Sequence, residues 1–105
     1  MRLEHYPVEK LKKEILFILE KHHELKGYRV FLFGSRIDGS GTERSDIDVG
    51  LEGPRVIPLN VLREIKEELD KIPILYQIDV IDFKDVSNDF RENALKVIES
   101  IGIIT

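Results

Sequence analysis

Apolar residues recur at helical spacing between residues 8 and 26, a pattern typical of an amphipathic helix. Pro7 suits the first helical turn, and Gly27 fits the position just past a helix end. The apolar stripe consists of Val8, Leu11, Ile15, Ile18, Leu19, His22 and Leu25. We predict a helix that covers one face of the sheet formed by the segments that follow.

Short apolar runs after this helix predict three strands, over residues 28–33, 46–51 and 74–83. Two further helices are predicted over residues 58–71 and 85–100, with a single helical turn at 36–38. Residues 103–105 are predicted to form either an edge strand or an apolar contact with a partner. The alternation of elements predicts an α/β (α+β) fold in which a small mixed sheet is flanked by helices.

Apolar spacing also predicts the packed sides of the two later helices. The packed side of the helix at 58–71 is predicted to consist of Leu59, Leu62, Ile65, Lys66 and Leu69. The final helix has Ser87 as its cap and Gly102 at its end. Its packed side is predicted to consist of Phe90, Ala94, Val97, Ile98 and Ile101.

The composition is that of a folded protein with a charged surface. With 42% hydrophobic and 34% charged residues among 105, the chain is expected to form one soluble domain, residues 1–105. A net charge of -4, with acids and bases interspersed, argues against a large nucleic-acid-binding surface. The lack of cysteine excludes disulfides, thiol catalysis and cysteine-ligated zinc. We expect neither a signal peptide nor a membrane-spanning segment, and therefore a cytoplasmic protein.

The histidines offer little for metal binding. His22 and His23 are adjacent, so on a helix they point in different directions, and no carboxylate lies at ligand spacing on their face. We expect these two residues and His5 to be solvated or to pack.

Two polar motifs interrupt the apolar runs at the first two predicted strands. The first strand stops at Gly34-Ser35, where backbone N–H groups and a hydroxyl can approach an anion. The second carries Asp46 and Asp48, which point to the same face because they are two residues apart in a strand. Carboxylates forced together raise each other's pKa and favour a bound cation. A phosphate-binding turn beside a cation-binding pair suits a metal-chelated nucleotide.

A third acid, Asp79, interrupts the apolar series of the third strand, which is costly unless the side chain is paired or bound to a metal. Asp82 lies on the opposite face, and we interpret it as a turn or helix-approach residue. Three convergent carboxylates match two-metal catalysis, in which two Mg²⁺ ions stabilise the attacking and leaving oxygens at phosphorus. The competing interpretation is that Asp46, Asp48 and Asp79 are unrelated surface acids.

The ordered set of Gly34-Ser35, Asp46-Ile47-Asp48 and an isolated Asp79 resembles the signature of the DNA polymerase β nucleotidyltransferase superfamily. Within it, the chain is similar to the minimal nucleotidyltransferases, or MNT family, which include antitoxins of HEPN/MNT pairs. The resemblance implies that Gly34 and Ser35 hold the triphosphate and that Asp46 and Asp48 bind both metal ions. Asp79 would complete the metal set and help to deprotonate or position the attacking hydroxyl.

The resemblance also implies a role for Arg36, which follows the Gly-Ser pair. Arg36 would contact phosphate or brace the loop, although a salt bridge to Glu43 or Asp38 is an alternative. Family members often carry Arg-Ala-Arg-Gly here, whereas this chain has Arg36-Ile37-Asp38-Gly39. An acid in place of the second arginine removes electrostatic support from a phosphate site.

The resemblance implies a Mg²⁺-dependent enzyme that moves AMP from ATP to a hydroxyl and releases pyrophosphate. MNT proteins are commonly paired with a small helical HEPN-domain protein and can silence that ribonuclease by adenylylating a tyrosine. We therefore expect an antitoxin that acts as a protein adenylyltransferase. The alternatives are a binding-only antitoxin with a vestigial nucleotide site and an enzyme that modifies a small molecule, as aminoglycoside nucleotidyltransferases do. The apolar tail and stripes allow a homo- or hetero-oligomer.

Overall fold

A four-stranded mixed sheet forms the centre of the computed structural model, which describes residues 1, 3, 6–42 and 44–105. The strands are β1 (Arg29–Phe33), β2 (Ile47–Glu52), β3 (Ile78–Asp82) and β4 (Glu99–Ile103), and their order in the sheet is β3-β2-β1-β4. β1 is antiparallel to both β2 and β4, whereas β2 and β3 are parallel. The helices are α1 (Val8–Leu19), α2 (Ser35–Asp38), α3 (Leu59–Leu69) and α4 (Asn88–Ala94). The predicted small mixed sheet flanked by helices is confirmed.

The main core lies between one face of the sheet and the helices α1 and α3. Because side chains alternate along a strand, every second residue of β1 and β2 faces these helices, and the apolar ones are buried. The buried residues of the two helices are Leu11, Ile15, Leu19, Val61, Ile65 and Leu69. Full burial of each such side chain stabilises the fold by roughly 1.5–3 kcal/mol, so the two amphipathic helices are anchored firmly to the sheet.

The opposite face of the sheet carries an aromatic cluster formed by Phe31, Phe33 and Phe83. The rings of Phe31 and Phe33 meet that of Phe83 edge-on, with centroids 4.9 and 5.0 Å apart. Gly50 lies opposite Phe31 in the register of β1 and β2, and a Cβ on Gly50 would lie 2.4 Å from the Phe31 ring. A glycine in β2 thus makes room for the rings, and the face they cover ends at Phe33, next to the polar motifs.

The first helix ends at Leu19, so the prediction of a helix over residues 8–26 was too long. The chain turns after Leu19, and His22 has an extended backbone, with φ -102° and ψ 106°. In this position its Nε2 lies 2.7 Å from Oε1 of Glu68 on α3. Leu25 is fully buried although it follows the helix, because a short 3₁₀ turn at His23–Leu25 returns it to the core. The predicted stripe is therefore largely buried but only partly helical. His5 lies outside the described residues.

The last predicted helix is also shorter, and its second half is a strand. The Ser87 cap is confirmed, since its Oγ accepts a hydrogen bond from the Phe90 N–H at 3.1 Å. Beyond α4, β4 pairs with β1, so Gly102 lies within a strand and does not end a helix. Val97, Ile98 and Ile101 consequently do not belong to a helix face. The edge strand that we considered for residues 103–105 is present, but it is β4 and ends at Ile103. It is the fourth strand of the sheet, in addition to the three predicted from apolar runs.

Two further predictions need correction. The third strand begins at Ile78, where pairing with β2 begins, and Leu75 before it is 98% exposed. In α3, Leu59 is 65% exposed and Val61 takes its place in the core, because the helix begins at Leu59 and its first residue points away from the sheet.

Asp82 is buried, and it holds two backbone segments together. Its Oδ2 accepts a hydrogen bond from the N–H of Ile57 at 2.7 Å, and its Oδ1 accepts one from the N–H of Lys84 at 2.9 Å. The first contact fixes the segment before α3 and the second fixes the turn after β3. The interpretation of Asp82 as a turn residue agrees with this geometry.

We expect Asp82→Asn to lower the free energy of unfolding by about 1–3 kcal/mol, the usual cost of leaving a buried donor unsatisfied. An asparagine side chain offers one acceptor oxygen in place of two, so one of the two N–H groups would face its NH₂ group. Denaturant unfolding monitored by circular dichroism measures the change. A variant as stable as the original protein would contradict the structural role.

Candidate active site

Two of the three predicted acids lie side by side on neighbouring strands. Asp48 of β2 and Asp79 of β3 are direct partners in the parallel register, so both project from the same face of the sheet. Asp48 is also the partner of Phe33, which places the pair at the end of the aromatic cluster. Asp46 is exposed and immediately precedes β2.

The electrostatics of the pair show that the three acids form one cluster. Burial, followed by the charges of Asp79 and then Asp46, raises the pKa of Asp48 to about 6. The structure therefore places Asp48 beside Asp79, with Asp46 one residue before β2 and not within the strand, where we predicted it. A metal-binding role for these three acids stays a prediction.

The turn that we predict to bind phosphate lies directly against Asp48 at Gly34. The φ of +87° and ψ of -164° at Gly34 are open only to glycine, and a Cβ there would lie 2.2 Å from Oδ2 of Asp48. The Gly34 carbonyl accepts hydrogen bonds from the N–H groups of Ile37 and Asp38, both at 3.0 Å, which starts the short helix α2 at Ser35. The turn and the carboxylates thus share one wall of the site.

The loop after α2 folds back onto this turn. The Gly41 N–H donates to the Ser35 carbonyl at 2.9 Å, and a Cβ on Gly41 would lie 2.6 Å from the Ser35 hydroxyl and 2.7 Å from that of Ser45. The Thr42 N–H donates to Oγ of Ser45 at 2.9 Å. The hydroxyls of Ser35 and Ser45 are therefore gathered beside the turn.

Asp38, which stands where the family often has arginine, closes the loop. Its Oδ1 accepts hydrogen bonds from the N–H of Ser40 at 2.8 Å and from the Ser40 hydroxyl at 2.6 Å. These bonds lower the pKa of Asp38. The structure thus gives Asp38 a local task in shaping the turn at Gly39.

Arg36 braces the loop from the other side. Its Nε donates to the carbonyl of Ser45 at 2.5 Å, and its guanidinium lies 4.3 Å from the centroid of the Tyr76 ring. A cation over an aromatic face is attracted by the ring quadrupole. The alternative partner Glu43 lies outside the described residues, and the phosphate contact of Arg36 stays a prediction.

Sequence reasoning missed Lys66 as a member of the site. We placed it in the apolar stripe of the helix, but its Nζ reaches across to Oδ1 of Asp79 at 3.5 Å. A lysine within an apolar stripe often carries its ammonium to a polar group at the edge of the core. The occurrence of a lysine within the apolar stripe of this helix was the sequence feature that could have identified Lys66.

An open groove of about 500 Å³ leads from the carboxylates past α3. Both apolar and charged side chains line the groove. The residues that line it are Asp48, Leu62, Arg63, Lys66, Glu67, Asp79, Val80 and Ile81. A substrate group that occupies the groove would lie against both Asp48 and Asp79.

The donor set of the cluster fits a hard cation. Carboxylate oxygens are the ligands that Mg²⁺ takes in proteins, commonly only one or two of them together with substrate phosphates. Across residues 1, 3, 6–42 and 44–105, no three His, Cys, Asp or Glu side chains form a ready-made metal site. The half-buried charge of Asp48, opposed by two like charges, nevertheless favours a cation at this point, so the residues fit the metal that the resemblance implies.

The sequence model described as polymerase beta, nucleotidyltransferase, matches residues 13–102. Over 70 residues the chain is 30% identical to the probable protein adenylyltransferase MntA of Haemophilus influenzae, an alignment that covers 67% of this chain and 61% of that protein. The chain therefore spans less than two thirds of the length of this relative. These matches confirm the resemblance inferred from the sequence.

Two solved structures share the fold. A crystal structure of a toxin–antitoxin with AMP-PNP superposes with a TM-score of 0.68 at 19% identity, covering 86% of this chain and 71% of that chain. A complex of tri-AMPylated HEPN toxin from Shewanella oneidensis with an MNT antitoxin gives 0.67 at 17% identity, covering 89% of this chain and 70% of that one. At such identities the likeness establishes the architecture.

Along the described ranges, we find no helix with the length and apolar character required to cross a membrane.

Proposed function

Because the chain belongs to the polymerase beta nucleotidyltransferase family, we propose that it transfers AMP from ATP to a hydroxyl group and releases pyrophosphate. The observation that carries this proposal is the contact of Gly34 with Asp48: a Cβ at the turn would lie 2.2 Å from the carboxylate. A phosphate held by the turn would therefore lie beside the cation-binding acids. This is the juxtaposition that a metal-chelated nucleotide requires.

Each residue of the cluster has a proposed task. Asp46 and Asp48 would hold two Mg²⁺ ions, with Asp79 completing the set, and the bound ions supply charge stabilisation at the phosphates. Gly34 and Ser35 would offer backbone N–H groups and a hydroxyl to the triphosphate. In the transfer, the acceptor oxygen bonds to the α-phosphorus as the bond from that phosphorus to the bridging oxygen breaks, and pyrophosphate leaves. Asp79 would orient the acceptor hydroxyl and accept its proton.

We further propose that the acceptor is a protein. The Haemophilus relative is named a probable protein adenylyltransferase, and one neighbouring structure contains an AMPylated HEPN toxin with an MNT antitoxin. The open groove supports a side-chain acceptor, because apolar Leu62, Val80 and Ile81 line it together with Asp79, so an aromatic side chain that carries a hydroxyl suits it. The chain would then act in the cytoplasm as an antitoxin that adenylylates a tyrosine of a HEPN-domain partner.

Incubation with α-labelled ATP and Mg²⁺, with and without the protein encoded by the neighbouring reading frame, tests this proposal. A short helical neighbour with an Arg-x4-6-His motif is the expected substrate. We expect label on its tyrosine, lost in Asp48→Asn and retained in Asp85→Asn, an exposed acid away from the cluster.

Each other outcome has a definite meaning. A tight complex without transfer would identify a binding-only antitoxin. Neither transfer nor a complex would direct the search to small hydroxylated acceptors, the remaining alternative.

A further inference from the structure

The Lys66 ammonium contacts both the end of its own helix and the segment that carries Asp79. Its Nζ donates hydrogen bonds to Oδ1 of Asp70 and to Oε1 of Gln77, both at 3.1 Å, and to the carbonyl of Ile78. The same Nζ lies 3.5 Å from Oδ1 of Asp79. One ammonium thus joins α3 to the residues with which β3 begins.

These contacts restrict where the Asp79 carboxylate can point. The Lys66 side chain is 31% exposed and Asp79 is 44% exposed, so neither group is freely solvated. The bond to the Ile78 carbonyl holds the ammonium beside the backbone of β3, one residue before Asp79. Because the ammonium reaches Asp79 through Oδ1, the second oxygen of that carboxylate can serve the cluster.

The charges around Asp79 indicate what the Lys66 ammonium does to the position of that carboxylate. Asp79 and Asp48 are direct partners on neighbouring parallel strands, so their like charges repel and an unrestrained Asp79 would be driven away from Asp48. A cation fixed on the α3 side of Asp79 offsets part of that repulsion. Asp79 can then remain next to Asp48.

We propose that Lys66 is a positioning residue, which orients the Asp79 carboxylate toward the metal ions and the acceptor hydroxyl. The inference rests on the proposed function, since it assigns Lys66 a task in the same site. Groups that hold a metal-binding carboxylate typically contribute 10–100-fold to metal affinity or activity. Lys66 itself lines the groove but acts through Asp79.

The test is a Mn²⁺ titration, followed by the paramagnetic signal of the free ion, of the original protein and Lys66→Met, each with and without Asp79→Asn. We expect Lys66→Met to weaken Mn²⁺ binding about tenfold when Asp79 is present and to have no effect in the Asp79→Asn background. Lys66→Arg should restore most of the affinity, because it keeps a cation of similar reach. Asp70→Asn is the matched control: it removes another partner of Lys66 and leaves Asp79 untouched.

Transfer assays give a second readout. Lys66→Met should lower kcat for nucleotidyl transfer about tenfold with the KM for ATP nearly unchanged, a split that general loosening of the fold would not produce. If Lys66→Met fails to fold, Lys66→Gln, which keeps a donor for the Ile78 carbonyl, replaces it in both assays.

Unchanged Mn²⁺ affinity in Lys66→Met, or an equal loss in the Asp79→Asn background, would overturn the proposal. A protein that binds Mn²⁺ as expected but transfers no nucleotide would refute the proposed function and leave the role of Lys66 supported.

Discussion

Replacement of Asp48 by asparagine is expected to abolish nucleotidyl transfer and, at neutral pH, to stabilise the fold. Transfer should fall by at least about a hundredfold, the usual cost of removing one electrostatic group from a transition state. Stability should rise because burial of the Asp48 carboxylate, followed by the charges of Asp79 and Asp46, raises its pKa to about 6. Asparagine keeps the shape of the side chain and removes the repulsion.

The sign and pH range of the stability change follow from this pKa. In the unfolded chain the Asp48 carboxyl has the ordinary value of 3.8, so the folded state binds a proton more tightly than the unfolded state does. The energetic penalty is complete above about pH 6, shrinks as the pH falls, and is gone below about pH 4. The full shift corresponds to about 3 kcal/mol, and solvent screening of this half-exposed group reduces it to about 1–2 kcal/mol.

Thermal unfolding in the presence of a chelator, at pH 7 and again near pH 4, measures the effect. We expect Asp48→Asn to unfold roughly 5–10 °C higher at pH 7 and at the same temperature as the original protein near pH 4. Asp82→Asn is the matched control, since the same substitution at a carboxylate that accepts two backbone hydrogen bonds should destabilise. A lower melting temperature for Asp48→Asn at pH 7 would show that Asp48 is structural.

Gly34→Ala is expected to abolish transfer and to destabilise the protein. The backbone at Gly34, with φ +87° and ψ -164°, lies in a region open only to glycine, which costs a side chain about 1–3 kcal/mol. In addition, the new methyl group would lie 2.2 Å from Oδ2 of Asp48, so the carboxylate or the turn must move. Either movement would separate the proposed phosphate site from the proposed metal site.

Gly39→Ala is the matched control for this substitution. Gly39 has a similar φ of +85°, but nothing lies within 4 Å of the position that its Cβ would occupy. Gly39→Ala should lower the free energy of unfolding by about 1 kcal/mol, because its backbone is left-handed, and should leave transfer intact. If the collision with Asp48 matters, Gly34→Ala should be less destabilising when introduced into Asp48→Ala. Equal effects of Gly34→Ala and Gly39→Ala on transfer would contradict the account.

The residues of the candidate site could be chosen from the sequence alone. Glycine beside serine at the end of an apolar run, and aspartates within apolar strands, are locally costly choices that are best explained by a bound phosphate and metal. Gly34, Asp48 and Asp79 were therefore identified without tertiary information. The pairing of β2 with β3 sets the register that places Asp48 opposite Asp79, and alternation along the strands then puts both side chains on one face.

The remaining features depend on contacts between distant parts of the chain. Residues at 97–101 have apolar spacing compatible with a helix, but pairing with β1 makes the segment a strand, and local periodicity does not reveal that partner. Leu25 was predicted to be buried as part of the first helix. It is buried in the core, but a short 3₁₀ turn after the helix places it there. Lys66 was indistinguishable from a lysine at the edge of a core until α3 was placed next to β3.

The central claim is that this site transfers a nucleotidyl group, and the most direct measurement compares ATP labelled at the α-phosphate with ATP labelled at the γ-phosphate. Both are supplied with Mg²⁺ and the proposed HEPN-domain partner, and label on that protein is measured. The account predicts incorporation from the α-label, with the γ-label recovered in pyrophosphate, and no incorporation in Asp48→Asn. Incorporation from the γ-label would show phosphoryl transfer and contradict the account, as would α-label transfer that survives the loss of the Asp48 charge.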